Sequence, residues 1–243
     1  FRTRVLVCAA GSYSLLFAQQ LGYGKNLGIL PVAGSFYSAG QLLRGKVYRV
    51  QIEGMPFAAI HGDPDVLGDH ETRFGPTTKP LPLMERYRYR TFFDYIKLPI
   101  ASLRGILAVH RIIMRKQLLL YVIKNFIYDL PIIGPWAFMQ EAKKIVPSIR
   151  YHDLTLRRKA GGIRPQIVNL TTSQLIMGES TIYGENGDRC IFNTTPSPGA
   201  SICLANGVRD ARKCVEYLGA AYRFDEALFE QEFGFPETHP ITS

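Results

Sequence analysis

Three stretches of the sequence hold residue types that chemistry can use. In Phe57-Ala-Ala-Ile-His61-Gly-Asp63 an apolar run that reads as a strand ends in a histidine. An imidazole with an ordinary pKa of about 6.5 can take the proton of a hydroxyl group at neutral pH, although a lone histidine after a strand also serves structure alone. In Gly161-Gly162-Ile163-Arg164-Pro165-Gln166 an arginine and a glutamine sit on a glycine turn that enters a strand. The planar guanidinium suits paired hydrogen bonds to a carboxylate better than lysine does; the plainer alternative is a surface arginine paired with a nearby acid. In FNTTPSPGASICLANGVRDA two prolines stiffen a loop, and Gly199, Ala200 and Ser201 place small residues at a helix start. Unpaired amides there attract partial negative charge, and the alternative is a stiff loop with Ser201 as an ordinary cap. Arg73, in RFGPTTKPLP, is a further cation whose alternative is a solvated charge. His70, His110, His152 and His239 have no comparable setting.

Other patterns exclude chemistries. Cys8, Cys190, Cys203 and Cys214 form no CxxC pair and have no histidine at ligand spacing, so neither a metal site nor a redox dithiol is expected, and reduced thiols of a cytoplasmic protein are the simpler reading. Gly40-Gln-Leu-Leu-Arg-Gly45-Lys46-Val47 approaches a phosphate-binding loop, but Val47 replaces the hydroxyl residue that holds magnesium, and the following KVYRVQIE reads as strand. Gly22, Gly24 and Gly28 miss the dinucleotide spacing by one residue and follow a helix instead of a strand.

The elements that must position these groups follow from periodicity. Val5 to Ala10 reads as a buried strand, Gly11-Ser12 as a turn, and Leu15, Leu16 and Leu21 as the apolar side of a helix. Short runs at Gly28–Pro31, Ser35–Tyr37, Lys46–Ile52 and Phe57–Ile60, each bounded by Gly or Pro, predict a mostly antiparallel sheet. Thr91–Leu130 is the longest helix-compatible region, and Trp136–Val146 adds a short helix. Strands return from Thr155, with Asn186-Gly187 as a hairpin signal, and a last helix follows Pro198-Gly199.

The chain has 243 residues, of which 47% are hydrophobic and 20% charged, enough to bury a large core. Its net charge is +9, and the window from Arg86 to Lys124, with nine Lys or Arg against one Asp, supplies +8 of it. If the part after Pro99 is helical, Arg104, Arg111 and Arg115 share one face, with Ile106, Val109, Ile113 and Leu120 opposite. Such a helix can lie on an anionic membrane surface or pack on the core. The charges break every apolar run well below spanning length. No nucleic-acid module surrounds the patch, so nucleic acid is not the expected partner.

Taken in order, KVYRVQIEGMPFAAIHGDPDV, RFGPTTKPLP, GIRPQIVN and FNTTPSPGASICLANG resemble the malate:quinone oxidoreductase family, within the wider group of flavoproteins that includes L-2-hydroxyglutarate dehydrogenases and D-amino-acid oxidases. The resemblance implies an α/β fold of mixed α+β character. A partial Rossmann-like FAD-binding core, residues 1–23 and 187–243, would interleave with an antiparallel-sheet substrate domain, 24–186, carrying the basic helical region 86–146. It implies oxidation of malate, or a similar 2-hydroxy acid, with FAD as cofactor and quinone as electron acceptor, in a step of the tricarboxylic acid cycle, by a cytoplasmic protein peripheral to the inner face of the membrane. Gly11, Pro198, Gly199, Ala200 and Ser201 would contact the cofactor, Arg164 with Gln166 beside it would bind the substrate carboxylate, Arg73 the second carboxylate, and His61 would be the base. The family's amino-terminal strand, glycine-rich turn and ribose acid are missing, so the sequence reads as a fragment of a longer enzyme. The alternatives are a dehydrogenase of another 2-hydroxy acid and a truncated, catalytically silent domain that binds membrane or protein.

Overall fold

A computed structural model describes residues 2–50, 57, 59–65, 71–157, 160–178, 180–195 and 202–234. Strand β1 (Leu6–Cys8), a 3-10 turn at Gly11–Tyr13 and helix α1 (Ser14–Gln20) open the chain, and β2 (Leu27–Ala39), β3 (Val47–Tyr48), β4 (His61–Pro64) and β5 (Thr72–Pro80) follow. Next come the helices α2 (Phe92–Tyr95), α3 (Leu103–Ile113), α4 (Lys116–Tyr128) and α5 (Ile133–Ala142). The strands β6 (Thr155–Arg157), β7 (Ile163–Asn169), β8 (Gln174–Leu175), β9 (Thr181–Tyr183) and β10 (Cys190–Asn193) precede α6 (Cys203–Leu218) and α7 (Glu226–Phe233). The class is mixed α+β, with an antiparallel sheet and helices.

Contacts divide the chain into a larger unit, Ala9–Ile182 with Phe192–Ser197, and a smaller one, Phe1–Cys8, Tyr183–Ile191 and Pro198–Ser243. By these contacts the divisions fall after residues 8, 182, 191 and 197, and α1 lies in the larger unit. In the smaller unit Arg212 of α6 pairs with Glu226 of α7 at 2.6 Å, and Asp225 caps α7 by accepting from the Leu228 N–H at 3.0 Å. β1, expected buried, has Leu6 and Val7 exposed.

In the larger unit an antiparallel sheet is ordered β3-β4-β5-β2-β7-β8, and β6 also pairs with β2. β2 is one strand of 13 residues where the sequence suggested two short runs divided at Pro31. Pro31 stands directly opposite Pro165 of β7, while its carbonyl accepts from the Leu81 N–H on the other side. Neither ring's missing N–H is needed between β2 and β7 at that pair, so the prolines do not interrupt the strand. Likewise Phe57, Ala59 and Ile60 are not in a strand, and His61 begins β4 instead of ending an apolar one. Of the Lys46–Ile52 run only Val47 and Tyr48 are strand among the described residues.

Register assigns the faces. Ser35 is opposite Thr77 and Tyr37 opposite Phe74, so β5 carries one extra residue, a bulge at Gly75–Pro76 across from Phe36. Tyr37 stacks on Phe138 of α5 at 4.4 Å between ring centroids, and the Asp129 carboxylate after α4 accepts from Ser35 at 2.9 Å and Thr77 at 2.8 Å while pairing with Lys79. Helices therefore cover the face of Ser35, Tyr37, Thr77 and Lys79. α4 follows the edge of β5 beyond its pairing with β4, where Asn125 Oδ1 accepts from the Thr78 N–H at 2.7 Å. On the other face Leu30 and Val32 are buried with Leu98 and Ile100, whereas Phe36 is only half-buried.

The basic helix is two helices. α3 is capped by Ser102, whose hydroxyl accepts from the Gly105 N–H at 3.1 Å, and ends at Ile113; Arg115 is the residue before α4 and donates to the Ser173 carbonyl at 3.5 Å. The packed side of α3 is Gly105, Ala108 and Ile112, so Ile106, expected on the side away from the arginines, lies exposed with Leu103, Leu107, Arg104 and Arg111. The reason is that Gly105 rather than a large residue meets the chain at Ile100, where an added Cβ would lie 2.4 Å from the carbonyl oxygen. No single helix among the described residues is long and apolar enough to cross a membrane; α4 and α5 pass that test only together and meet at a bend of 119°.

Candidate active site

Alternation along the strands brings the polar candidates to one face. His61 pairs with Tyr48 of β3 and Gly75 of β5, Asp63 with Arg73, Arg73 with Ser38, and Arg164 and Gln166 with Val32 and Leu30. Cross-strand partners share a face, and so do residues two apart. His61, Arg73, Arg164 and Gln166 thus emerge on the side of the sheet that carries Phe36 and Tyr48, opposite the α4–α5 cover.

His61 is half-buried, edge-on to Phe36 at 6.5 Å and 5.1 Å from the Tyr48 ring. Its Nδ1 lies 3.2 Å from the Ala59 carbonyl. A carbonyl only accepts, so Nδ1 carries the proton and Nε2 keeps its lone pair. Burial holds the imidazole below its usual pKa; the Ala59 bond and Asp63 oppose this, while Lys46 and Arg164 add to it. The neutral imidazole is therefore the resting form at neutral pH, with Nε2 available as a base.

Arg164 has no hydrogen-bond or ion-pair partner among the described residues. Burial lowers its pKa from the usual value, with Tyr121 acting in the opposite direction, yet a guanidinium stays charged at any physiological pH. The preceding glycine explains the motif. Gly161 has φ +102°, and a Cβ there would stand 2.2 Å from the Gly34 carbonyl oxygen, so only glycine lets the chain enter β7 this close to β2.

Gln166 is buried, and its Nε2 donates to the Ile176 carbonyl at 2.9 Å, fastening the segment after β8. Arg73 lies over the Phe36 ring at 5.7 Å and pairs with Asp63 at 2.9 Å and Asp65 at 3.9 Å, so its charge is matched. Arg73 Nε and Asp63 Oδ1 remain buried without partners. Gly11 is exposed at φ +57° in the 3-10 turn, which packs against β7. Pro198, Gly199, Ala200 and Ser201 lie outside the described residues.

Sequence reasoning missed Lys46, Tyr48, Phe36 and Tyr121. Lys46 Nζ lies 5.0 Å from the Tyr48 ring centre, and its charge reaches His61. The alternation in KVYRVQIE marks a strand without revealing that Tyr48 pairs with His61. Among the described residues no three His, Cys, Asp or Glu side chains gather to hold a metal ion.

This face can bind a carboxylate at Arg164 and take a hydroxyl proton at His61. Nothing in it can accept a hydride, so the donor set fits a separate redox group such as a flavin.

No family model matches the chain. It is 40% identical over 237 residues to the probable malate:quinone oxidoreductase of Campylobacter jejuni, covering 96% of this chain and 51% of that protein. To the malate:quinone oxidoreductase of Helicobacter pylori it is 42% identical over 220 residues, 89% of this chain and 48% of that protein. The mitochondrial L-2-hydroxyglutarate dehydrogenase of Mus musculus is 27% identical over 218 residues, 84% of this chain and 43% of that protein. The chain thus spans about half the length of the malate:quinone oxidoreductases it matches.

Proposed function

From the homology of this chain to malate:quinone oxidoreductases, we propose that the protein it forms part of oxidises malate to the 2-oxo acid and passes the electrons to quinone. The observation that carries this reading is the presence, on one sheet face, of Arg164, with no acid paired to it among the described residues, and of a neutral His61 whose pKa the Arg164 charge helps to lower.

Arg164 takes the C1 carboxylate through two parallel N–H donors, which fixes C2 and its hydroxyl over the sheet. His61 Nε2 then accepts the hydroxyl proton as the C2 hydrogen departs, so that negative charge on oxygen never builds up fully. The imidazolium so formed keeps its bond to the Ala59 carbonyl, which favours the charged ring. The C4 carboxylate is assigned to Lys46, because Arg73 is already matched by Asp63 and Asp65. Arg73 then positions Asp63 beside His61. Phe36 and Tyr48 limit water around the imidazole.

FAD, when bound, supplies the acceptor for the C2 hydride; Gly11 and Pro198–Ser201 are the residues proposed to contact it. The exposed Leu103, Ile106 and Leu107, set among Arg104 and Arg111, support attachment to an anionic membrane surface, where quinone is dissolved.

The test is anaerobic addition of malate to the full-length protein, followed in the flavin absorption bands. Bleaching by malate is expected, and a protein purified without flavin colour would refute the reading. The Mus musculus relative supports a second substrate, 2-hydroxyglutarate; comparing kcat/KM for the two acids decides between them.

A further inference from the structure

The corner where α4 meets α5 carries apolar side chains that the core does not use. α4 packs Leu118, Val122 and Asn125 inward, yet Leu120, Ile123 and Ile127 recur at helical spacing on the opposite side and are exposed. A helix with one packed face ordinarily turns polar residues to water, and an apolar second face calls for a second apolar surrounding. Leu130, Ile132, Ile133 and Trp136 continue the exposed series along the chain.

The turn between the helices is strained. Ile132 has φ +67° and ψ −57°, and across it the Ile133 N–H donates to the Pro131 carbonyl at 2.7 Å, a tight turn in which a β-branched residue is out of place. Ile132 is nonetheless 81% exposed, so no packing in the core offsets that strain. The corner behind it is firmly seated. The Tyr37 hydroxyl donates to the Tyr128 carbonyl, and a Cβ added to Gly134 would stand 2.3 Å from that same carbonyl oxygen. Ile132 thus stands out from a packed base.

Charge identifies what covers this surface. Between Leu103 and Lys144 every exposed charged residue is Lys or Arg, while the acids Asp129 and Glu141 turn inward to pair with Lys79 and Arg49. A basic surface with an apolar tip and a tryptophan beside it matches the boundary between anionic headgroups and acyl chains, where indole rings collect. A second copy of this chain would instead bring like charges together. With 13 residues α4 is about 20 Å long, too short to cross roughly 30 Å of hydrocarbon, and α5 meets it at a bend of 119°, so the corner can enter one leaflet but not span the bilayer.

We propose that the α4–α5 corner, with Ile132 at its tip, inserts into the acyl region of one leaflet of an anionic membrane. The inference rests on the proposed membrane attachment and deepens it: the basic residues of α3 draw the protein to the headgroups, and the corner supplies the second, hydrocarbon contact that stable anchoring requires.

Trp136 is the only tryptophan of the chain and reports on the corner directly. Vesicles of equal parts phosphatidylglycerol and phosphatidylcholine are added to the purified chain. The Trp136 emission should shift to shorter wavelength, and phosphatidylcholine brominated within its acyl chains should quench it. Ile132→Asn combined with Ile133→Ser should weaken vesicle partitioning about tenfold or more without unfolding the chain, since Asn accepts positive φ more readily than Ile. Ile123→Gln combined with Ile127→Gln, which keeps helix-forming residues, should do the same, and urea midpoints near that of wild type show that both fold. Vesicle binding with neither shift nor quenching, or equal partitioning of wild type and both variants, would overturn the proposal. Self-association that the variants abolish, in place of lipid quenching, would give the surface to a second copy. Full-length protein whose partitioning the variants leave unchanged would give it to the remainder of the polypeptide, and either outcome overturns the proposal. Attachment without insertion removes the corner alone, absent vesicle binding removes the membrane attachment with it, and the malate chemistry is read separately by flavin bleaching.

Discussion

Tyr48 and His61 are cross-strand partners of β3 and β4, their ring centres 5.1 Å apart, with the Lys46 ammonium 5.0 Å from the same tyrosine ring. The imidazole therefore lies beside an aromatic ring, and burial, with the Lys46 charge adding to it, holds its pKa below the usual value.

A pH profile should report this arrangement. His61 sits below its ordinary pKa, so activity is retained down to a pH below about 6.5 and is lost as pH falls through the lowered value. Lys46→Met removes a charge that lowers the pKa, so the acid limb of kcat/KM should move to higher pH. A limb that does not move would show that another group is the base. His61→Gln should lower kcat by about 10²- to 10⁴-fold.

Arg164→Lys keeps the charge and loses the fork. A charge-assisted hydrogen bond contributes about 1.5–3 kcal/mol, so KM for malate should rise by roughly 10- to 100-fold, with flavin content unchanged. Steady-state kinetics and an absorption spectrum check both parts, and an unaltered KM would remove Arg164 from the carboxylate site.

Gly161→Ala should act on the same strand through the backbone. At φ +102°, with the Gly34 carbonyl oxygen 2.2 Å from the added Cβ, the entry to β7 must shift, at a cost of about 1–3 kcal/mol. A lowered urea midpoint together with a raised KM is expected.

Asp129→Ala should destabilise the helix-covered face. It strips Ser35 and Thr77 of an acceptor and leaves Lys79 unpaired in a mostly buried position, a loss of about 3–5 kcal/mol. Urea unfolding measures it, and a change below about 0.5 kcal/mol, the scale of an ordinary surface substitution, would contradict the contact.

Reversing Arg104 and Arg111 to Glu should release the protein from anionic vesicles, since each basic residue near such a surface contributes about 1 kcal/mol. Arg115 is a poorer choice than the sequence suggested, because it already donates to the Ser173 carbonyl. Sedimentation with vesicles that is undiminished by both reversals would assign these arginines to solvent alone.

Local features of the polypeptide were legible without coordinates. Asn186-Gly187 forms a turn with φ of 55° and 91°, as that dipeptide favours, and the glycines before Arg164 precede a strand. Hydrophobic alternation and helical spacing are properties of neighbouring residues, so the sequence by itself determined most element types and the nature of the groups at His61 and Arg164. Tertiary structure alone decided which groups work together. The bulge at Gly75–Pro76 and the register of β2 with β5 and β7 put His61 and Arg164 on one face, matched Arg73 to Asp63, turned Gln166 to the Ile176 carbonyl and brought Lys46 to the imidazole. Those outcomes depend on hydrogen-bond register between distant segments, and one residue of slip would send every side chain of a strand to the opposite face.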